Sequence, residues 1–465
     1  MWCKDAAFIR LIPAGVKSGR EPYLPLTETN KLGGVHLKIA IIGAGSSYTP
    51  EIIQGLLHSK TFAPLEVAFY DLPEGRGRVE TICGLAGRMA NKAGVTAKFT
   101  IADTLPEALT GCRFVVSQFR VGLMKARIHD ERMPLALGLL GQETTGAGGF
   151  CKAMRTIPAT LNLARQMEQT CPDAWLINFT NPSGIITEAV LRHSSIRCVG
   201  LCNVPYNMRM DAAHALNVPV ERVTVKMTGL NHLSYITEVL LDGEPMLQTM
   251  IDRGLFTSQL VKNIPSVEGV QDLIALLGLV PSPYLQYYYF EQEMLRRERE
   301  DAEGPGTRGE QIEAMQDELF SLYADPTLCD KPKQLEMRGG AYYSTVATLL
   351  MEALCSPQGL EMPLCCRNGS AIPDLEPDAV VEINALVNRN GVQPLAAGPL
   401  PAAVRGLIQS VKAYESRTVE ASVNRSRKLA VEALTHHPLI HGYQNAVTIV
   451  DDLCKTFPQF VGELR

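Results

Sequence analysis

The sequence predicts an α/β protein, in which a doubly wound, largely parallel sheet precedes a second, mixed and largely helical α+β domain. Three observations carry this reading. Six short apolar runs alternate with helical stretches between residues 37 and 202, as in a parallel sheet wound by crossover helices. The runs are continuously apolar rather than alternating, as strands covered on both faces are. A glycine-rich loop separates the first run from the first helix, where a Rossmann-type fold makes its first turn.

The elements follow in order. "LKIAII" from Leu37 is the first strand, and "EIIQGLL" has helical spacing. "EVAFYDL" is the second strand, followed by a helix expected over residues 75–93. "AKFTIA" and "FVVSQF" are the third and fourth, with a short helix between them. "AWLINFT" and "RCVGLC" are the fifth and sixth, separated by a helical stretch at 183–193. Beyond residue 220 the pattern changes, and "RVTVKM" and "SYITEVLLDG" read as longer, more alternating strands. Residues 247–355 are mainly helical in pattern, and "EPDAVVEINALV" with a helical tail over 402–458 completes a second domain. Residues 1–36 carry no clear period and many turn formers, so they read as a flexible extension outside the fold.

Composition narrows the function. Of the 465 residues, 46 % are hydrophobic and 20 % charged, enough for a large core and against global disorder. A net charge of −5 argues against nucleic acid and anionic membranes as partners. No apolar stretch is long enough to span a bilayer, and "AAFIRLIPAGV" is broken by Arg10 and Pro13, which makes a poor signal-peptide core. Twelve cysteines without any CxxC pair read as thiols in a reducing cytoplasm.

The loop "GAGSSYTP" suits a pyrophosphate. Gly43 allows the tight turn, Gly45 lets backbone approach a phosphate, and Ser46 lies in the same loop. The third glycine of G-x-G-x-x-G is absent, with Tyr48 in its place. Asp71 ends the second strand, 26 residues after Gly45. An acid there accepts hydrogen bonds from the ribose hydroxyls of NAD and repels the extra phosphate of NADP. Two further strand tips stand out. "GLCNVP" places Cys202 and Asn203 after an apolar run, and "GLNHL" places Asn231 and His232 after another. Spacing alone leaves two readings, a pair of metal ligands or two ordinary buried residues.

With these tips lined up, the chain resembles glycoside hydrolase family 4, the NAD- and metal-dependent glycosidases. The motifs are "IIGAGSSYTPE", "FRVGLMKARIHDERMPLALGLLGQETTGAGGF", "NFTNPSG", "GLCNVP", "GLNHL", "PYLQYYY" and "RGGAYYS", between about residues 37 and 450. "CNVP" is similar to the 6-phospho-β-glucosidase branch; the α-glucosidase branch usually carries aspartate where this chain has Asn203. Residues 1–36 have no counterpart in the family, and Ala147 stands where a proline is common.

The resemblance implies a lactate/malate dehydrogenase-like architecture, with an NAD-binding domain over 37–220 and a catalytic, substrate and oligomerisation domain over 221–465. It implies that Cys202 and His232 ligate a divalent metal, usually Mn²⁺. That ion prefers oxygen, so the rest of its shell is expected from substrate hydroxyls and water. Asn181 and Asn203 resemble residues that hydrogen-bond the sugar, and Arg120 and Arg308 resemble substrate-contacting arginines. A guanidinium fork suits a sugar phosphate. Tyr284 resembles the catalytic base, with Tyr287, Tyr288 and Tyr289 as near alternatives. Free tyrosine titrates near ~10, and a neighbouring divalent cation lowers that value.

The implied reaction is hydrolysis of 6-phospho-β-glucosides, either phosphorylated disaccharides or aryl glucosides. It proceeds by oxidation at C3, deprotonation at C2, elimination of the aglycone, addition of water and re-reduction. This family is a known exception to the two-carboxylate glycosidase mechanism. Glu143 in "GQETTG" and Asp130 in "HDER" are the acids nearby in sequence that offer a proton to the leaving oxygen, and the sequence does not choose among them and water. A cytoplasmic homodimer or homotetramer is expected. The competing readings are a family member acting on an α-glucoside phosphate, a galactoside or a galacturonide, a plain NAD-dependent 2-hydroxy acid dehydrogenase, and a non-catalytic NAD-binding sensor. His436 and His437 read as packing or surface residues, and Cys365 and Cys366 as small buried ones.

Overall fold

All six apolar runs form strands of one sheet in the computed structural model, which describes residues 11–12, 37–256, 264, 267–337 and 342–465. Across the sheet they run Ala97–Ile101, Leu65–Tyr70, Lys38–Ile42, Cys112–Ser117, Trp175–Asn178 and Arg197–Gly200. Numbered along the chain this is 3-2-1-4-5-6, and every neighbouring pair is parallel. The order reverses between Lys38–Ile42 and Cys112–Ser117. Ligands of such sheets bind beyond the carboxyl ends at that reversal. Ile39, Ile41, Val67, Phe69, Val115 and Ile177 are wholly buried, which explains the unbroken apolar runs. The expected helices are Arg76–Ala93, closed by Gly94 at φ +66°, and Ser183–His193.

The sheet continues past its sixth strand. Gly359–Arg367 runs antiparallel beside Arg197–Gly200, with Cys365 opposite Gly200. Val380–Asn388 and Gly391–Pro394 extend it further, again antiparallel. The sequence pattern hides the first of these, because Pro363 interrupts it and proline cannot donate to a ladder. Glycine at 200 is required for the junction. A Cβ there would lie 2.4 Å from Thr187 Oγ1 and 2.8 Å from Cys365 Cβ. Leu11 and Ile12 pair with Leu360 and Gly359, and the remainder of the expected extension over 1–36 lies outside the described residues.

The second sheet is built on the hairpin Val223–Leu230 and Leu233–Leu241, whose tip is Asn231–His232. Two short strands, Glu244–Pro245 and Val280–Pro281, pair with its second arm. The hairpin docks on the large sheet through Asn384. Asn384 Oδ1 accepts from Met227 N at 3.0 Å, and its Nδ2 donates to Val225 O at 2.9 Å. The tail is helical as expected, with Ala402–Asn424, Arg427–His436 and Tyr443–Thr456 packed around the long helix Gly146–Thr170. Among the described residues, no helix is long and apolar enough to cross a membrane.

Candidate active site

The glycine loop is shaped by its own strand pair. Gly43 sits at φ +82° and donates to Tyr70 O at 2.9 Å, and a Cβ there would lie 2.7 Å from Phe119 Cβ. Gly45 N donates to Asp71 Oδ2 at 2.7 Å, and a Cβ on Gly45 would lie 2.8 Å from the same oxygen. The Asp71 carboxylate therefore sits directly over the turn. Burial pushes it up, while the Gly45 and Leu72 amides pull it back. Ser46 Oγ accepts from Tyr48 N at 3.3 Å and finishes the entry to the helix Thr49–His58. A backbone bared by glycine at a helix start, beside a carboxylate at the tip of the second strand, fits a dinucleotide.

Cys202 and Asn203 follow the sixth strand directly, and both are buried. Cys202 Sγ accepts from Val204 N at 3.5 Å. Burial, and then the Glu382 charge, push the thiol well up, while Asn231 donates a hydrogen bond that pulls it back. His232 is buried at the hairpin tip in the left-handed region, at φ +64°. Burial, with Lys152 beside it, holds the imidazole down at about 3. It is thus neutral, with a lone pair to offer, as a metal ligand must be. Among the described residues no cluster of three or more His, Cys, Asp or Glu is placed to hold a metal. A sulfur and a nitrogen fit a weak two-ligand site completed by oxygens from elsewhere.

Sheet register delivers Tyr284. Pro281 lies opposite Tyr235, and Ser282 N donates to Ser234 O at 2.8 Å, so the chain arrives beside His232. The Tyr284 ring stacks on the His232 ring, with centroids 3.9 Å apart and planes at 22°. The neighbouring tyrosines are engaged elsewhere. Tyr288 OH shares a hydrogen bond with Thr145 Oγ1 at 2.6 Å, and Tyr289 OH with Tyr235 OH at 2.9 Å. Tyr287 is buried, its ring centroid 6.4 Å from that of Tyr284.

Three cations gather on one acid. Arg120 NH1 pairs with Glu143 Oε2, Lys152 Nζ reaches the same oxygen at 2.9 Å, and Arg127 NH1 reaches Oε1 at 3.2 Å. Burial would raise Glu143, but Arg120, Arg127 and Lys152 hold it well below the usual carboxylate range. Lys152 is itself pushed down to about 7 by burial and Arg120, against the pull of Glu143. Asp130 lies elsewhere, fully buried, in a two-pronged pair with Arg155 at 2.9 and 2.5 Å. Arg308 opens the helix Arg308–Ala324 behind a Thr307–Glu310 capping box. Its next residue, Gly309, donates to Glu131 Oε2 at 2.6 Å, and Glu131 Oε1 accepts from Arg127 at 2.8 Å. Asn181 is half-buried at the tip of the fifth strand, in a loop held by Asn178, whose Oδ1 accepts from Thr180 N at 3.0 Å and Ser117 Oγ at 2.9 Å.

The structure therefore brings Cys202, His232 and Tyr284 to the same carboxyl edge as the cation group. Tyr343, whose hydroxyl burial pushes well up, feels Cys202, Tyr284, Tyr48 and Glu143 together. Sequence reasoning missed Arg127 and Lys152. Both lie inside the stretch "FRVGLMKARIHDERMPLALGLLGQETTGAGGFCK", whose density of charge in a buried context was the available signal. It also missed Glu382, which touches the site only through other residues.

Two models of family 4 glycosyl hydrolases match the chain, one over residues 38–218 and one for the C-terminal domain over 227–440. The chain belongs to the family 4 glycosyl hydrolases. Within it, the chain is 41 % identical over 439 residues to a Bacillus subtilis (strain 168) protein named "Probable 6-phospho-beta-glucosidase", covering 92 % of this chain and 99 % of that one. It is 36 % identical over 444 residues to the 6-phospho-beta-glucosidase of Escherichia coli (strain K12), covering 92 % and 98 %. Among solved structures, the Thermotoga maritima 6-phospho-beta glucosidase with manganese, NAD⁺ and glucose-6-phosphate superposes with a TM-score of 0.84 at 34 % identity, over 92 % of this chain and all of that one. A 6-phospho-alpha-glucosidase from gut microorganisms with NAD and glucose-6-phosphate superposes at 0.82 with 26 % identity, with the same coverage. The family 4 relatives named for β-linked substrates are thus more similar in sequence than this α-linked one.

Proposed function

We propose that this family 4 hydrolase cleaves 6-phospho-β-glucosides by an NAD- and metal-dependent redox elimination. One observation carries the assignment of residues: the Tyr284 ring lies face to face with His232, 3.9 Å away. A base and a metal ligand in contact are what a C2 deprotonation needs. The relatives named above, and the NAD, manganese and glucose-6-phosphate held by solved members, support the substrate class.

When bound, NAD⁺ supplies the reversible oxidation at C3, and the divalent cation supplies Lewis-acid polarisation and the positive charge that favours a tyrosinate. The chain does the rest. Gly43, Gly45 and Ser46 receive the pyrophosphate, and Asp71 receives the ribose. Cys202 and His232 hold the cation. Asn181 and Asn203 hydrogen-bond the sugar. Arg308, with Arg120 braced on Glu143, meets the substrate's anionic side. Tyr284 takes the C2 proton. Arg120, Arg127 and Lys152 hold Glu143 ionised, and Arg155 occupies both oxygens of the buried Asp130, so protonation of the leaving oxygen is assigned to water. A homodimer or homotetramer in the cytoplasm completes the proposal. Eleven free cysteines among the described residues suit a reducing compartment, and analytical ultracentrifugation measures the assembly.

The test is turnover of a 6-phospho-β-glucoside with NAD⁺ and Mn²⁺ each omitted in turn. Activity is expected to need both, with no net NADH formed, and to favour the phosphorylated β-glucoside over its α and unphosphorylated counterparts. Tyr284→Phe should slow turnover roughly a hundred- to ten-thousand-fold, the usual worth of a general base. Deuterium uptake at C2 in D₂O should slow with it. Full activity after chelation and removal of cofactor would end the redox reading, and normal labelling in Tyr284→Phe would move the base elsewhere.

A further inference from the structure

We propose that Glu382 is a positioning residue for the divalent metal: it sets where His232 stands relative to Cys202 by clasping both flanks of the hairpin tip. The proposal rests on the reading of Cys202 and His232 as metal ligands.

Those two side chains come from different sheets. Cys202 lies two residues beyond the sixth strand of the large sheet, and His232 is at the tip of the hairpin in the small one. Their separation therefore depends on how the hairpin is seated. Glu382 lies on Val380–Asn388, the strand of the large sheet against which the hairpin packs. Its side chain is 2 % exposed. Oε1 accepts from Asn231 Nδ2 at 3.0 Å, and Oε2 accepts from Ser234 Oγ at 2.8 Å. Asn231 and Ser234 bracket His232 on either side. The Cys365 thiol, opposite Glu382 in the ladder, donates to Oε1 at 3.6 Å.

A purely structural explanation fits poorly. No Lys, Arg or His pairs with Glu382 among the ion pairs of the described residues, and burial pushes its carboxyl up to about 7 against the neutral donors Asn231, Ser234 and Cys365 that pull it down. Burying a carboxylate in that way is less favourable than burying an apolar residue of the same size. The clasp has something to hold, because His232 occupies the left-handed region, which non-glycine residues adopt only when their surroundings enforce it. Asn384, two residues further along the same strand, ties the hairpin's first arm by its backbone. Asn384 seats the hairpin, and Glu382 aims its tip. A metal site with two protein ligands is sensitive to such outer contacts, since their loss commonly weakens metal binding ten- to a hundred-fold.

The experiment measures Mn²⁺ affinity of the full-length enzyme without substrate, from the EPR signal of free Mn²⁺, alongside NAD⁺ affinity by calorimetry. In Glu382→Gln the amide retains one acceptor but not the second. Mn²⁺ binding should weaken about ten-fold or more, with NAD⁺ affinity within two-fold of wild type. Ser234→Ala removes one arm of the clasp and is the smaller change. It should weaken Mn²⁺ binding in the same direction by roughly three-fold, and it decides the matter where Glu382→Gln does not fold. Unchanged Mn²⁺ affinity in the folded variants would overturn the proposal, as would an equal loss of NAD⁺ affinity, which marks a generally loosened fold. His232→Ala separates the two levels. If it binds Mn²⁺ as wild type does, the metal-site reading itself is wrong, and the role of Glu382 goes with it.

Discussion

Asp130 meets one cation and Glu143 meets three, although the two carboxylates lie only a short stretch of chain apart. Asp130 is fully buried against Arg155, whose guanidinium also lies 4.6 Å over the Phe457 ring. Burial leaves the Asp130 carboxyl above its ordinary range in spite of that partner. Glu143 keeps 15 % of its side chain exposed, and it is held well below its range against the same penalty of burial. At Asp130, Arg155 with smaller help from Lys152 and His129 does not outweigh desolvation, while at Glu143 the pull of Arg120, Arg127 and Lys152 does. The contrast also assigns roles. The Asp130 pair is closed and matched in charge. The Glu143 group has cations in excess and lies by the strand tips, where an anionic substrate is still to be received.

The sharpest way to break this contrast is Asp130→Asn, which leaves the Arg155 charge buried without a counterion. Stability should fall by roughly 3–5 kcal/mol, read as a lower urea midpoint, while NAD⁺ affinity of the folded fraction stays near wild type. Stability unchanged in this variant would show that the pair is dispensable. Glu143→Gln should cost less, about 1–3 kcal/mol, because water shares the site. It should raise KM for the phosphorylated substrate, since Arg120 and Lys152 lose the oxygen they share.

Acid separates the two sites by sign. The folded Glu143 lies below its ordinary value of 4.5. Its share of stability is therefore full above about pH 4.5 and is lost as the pH falls through the folded value. Asp130 lies above its ordinary value of 3.8, so its share is full below that and is lost as the pH rises through the folded value. In urea titrations at descending pH, the gap between wild type and Glu143→Gln should close, and the gap to Asp130→Asn should hold or widen. Two gaps closing together would refute the contrast. The smallest effect is expected from Arg120→Lys. It keeps the charge on Glu143 but loses the planar fork, and kcat/KM should drop by less than about ten-fold.

The sequence by itself determined the first sheet, the cofactor turn and the family. These depend on neighbours along the chain: an apolar run, a glycine turn and the acid ending the next run form one βαβ unit, so Gly43, Gly45 and Asp71 are legible together. The motifs also singled out Cys202, His232 and Tyr284 one by one. Only the tertiary structure decided how they meet. Tyr284 reaches His232 because Val280–Pro281 pairs with Leu233–Leu241, and the small sheet meets the large one through Val380–Asn388, which joins that sheet by way of Gly359–Arg367, the strand that Pro363 disguises. The different settings of Asp130 and Glu143 depended likewise on Arg120, Arg127, Lys152 and Arg155, whose partners are set by packing. Glu382 was invisible in the sequence for the same reason. Its contacts at Asn231 and Ser234 lie about 150 positions away. Local pattern encodes which face of a strand is apolar and where a turn can bend. The seating of one sheet on another, and the charge balance it creates, comes from contacts that no local pattern records.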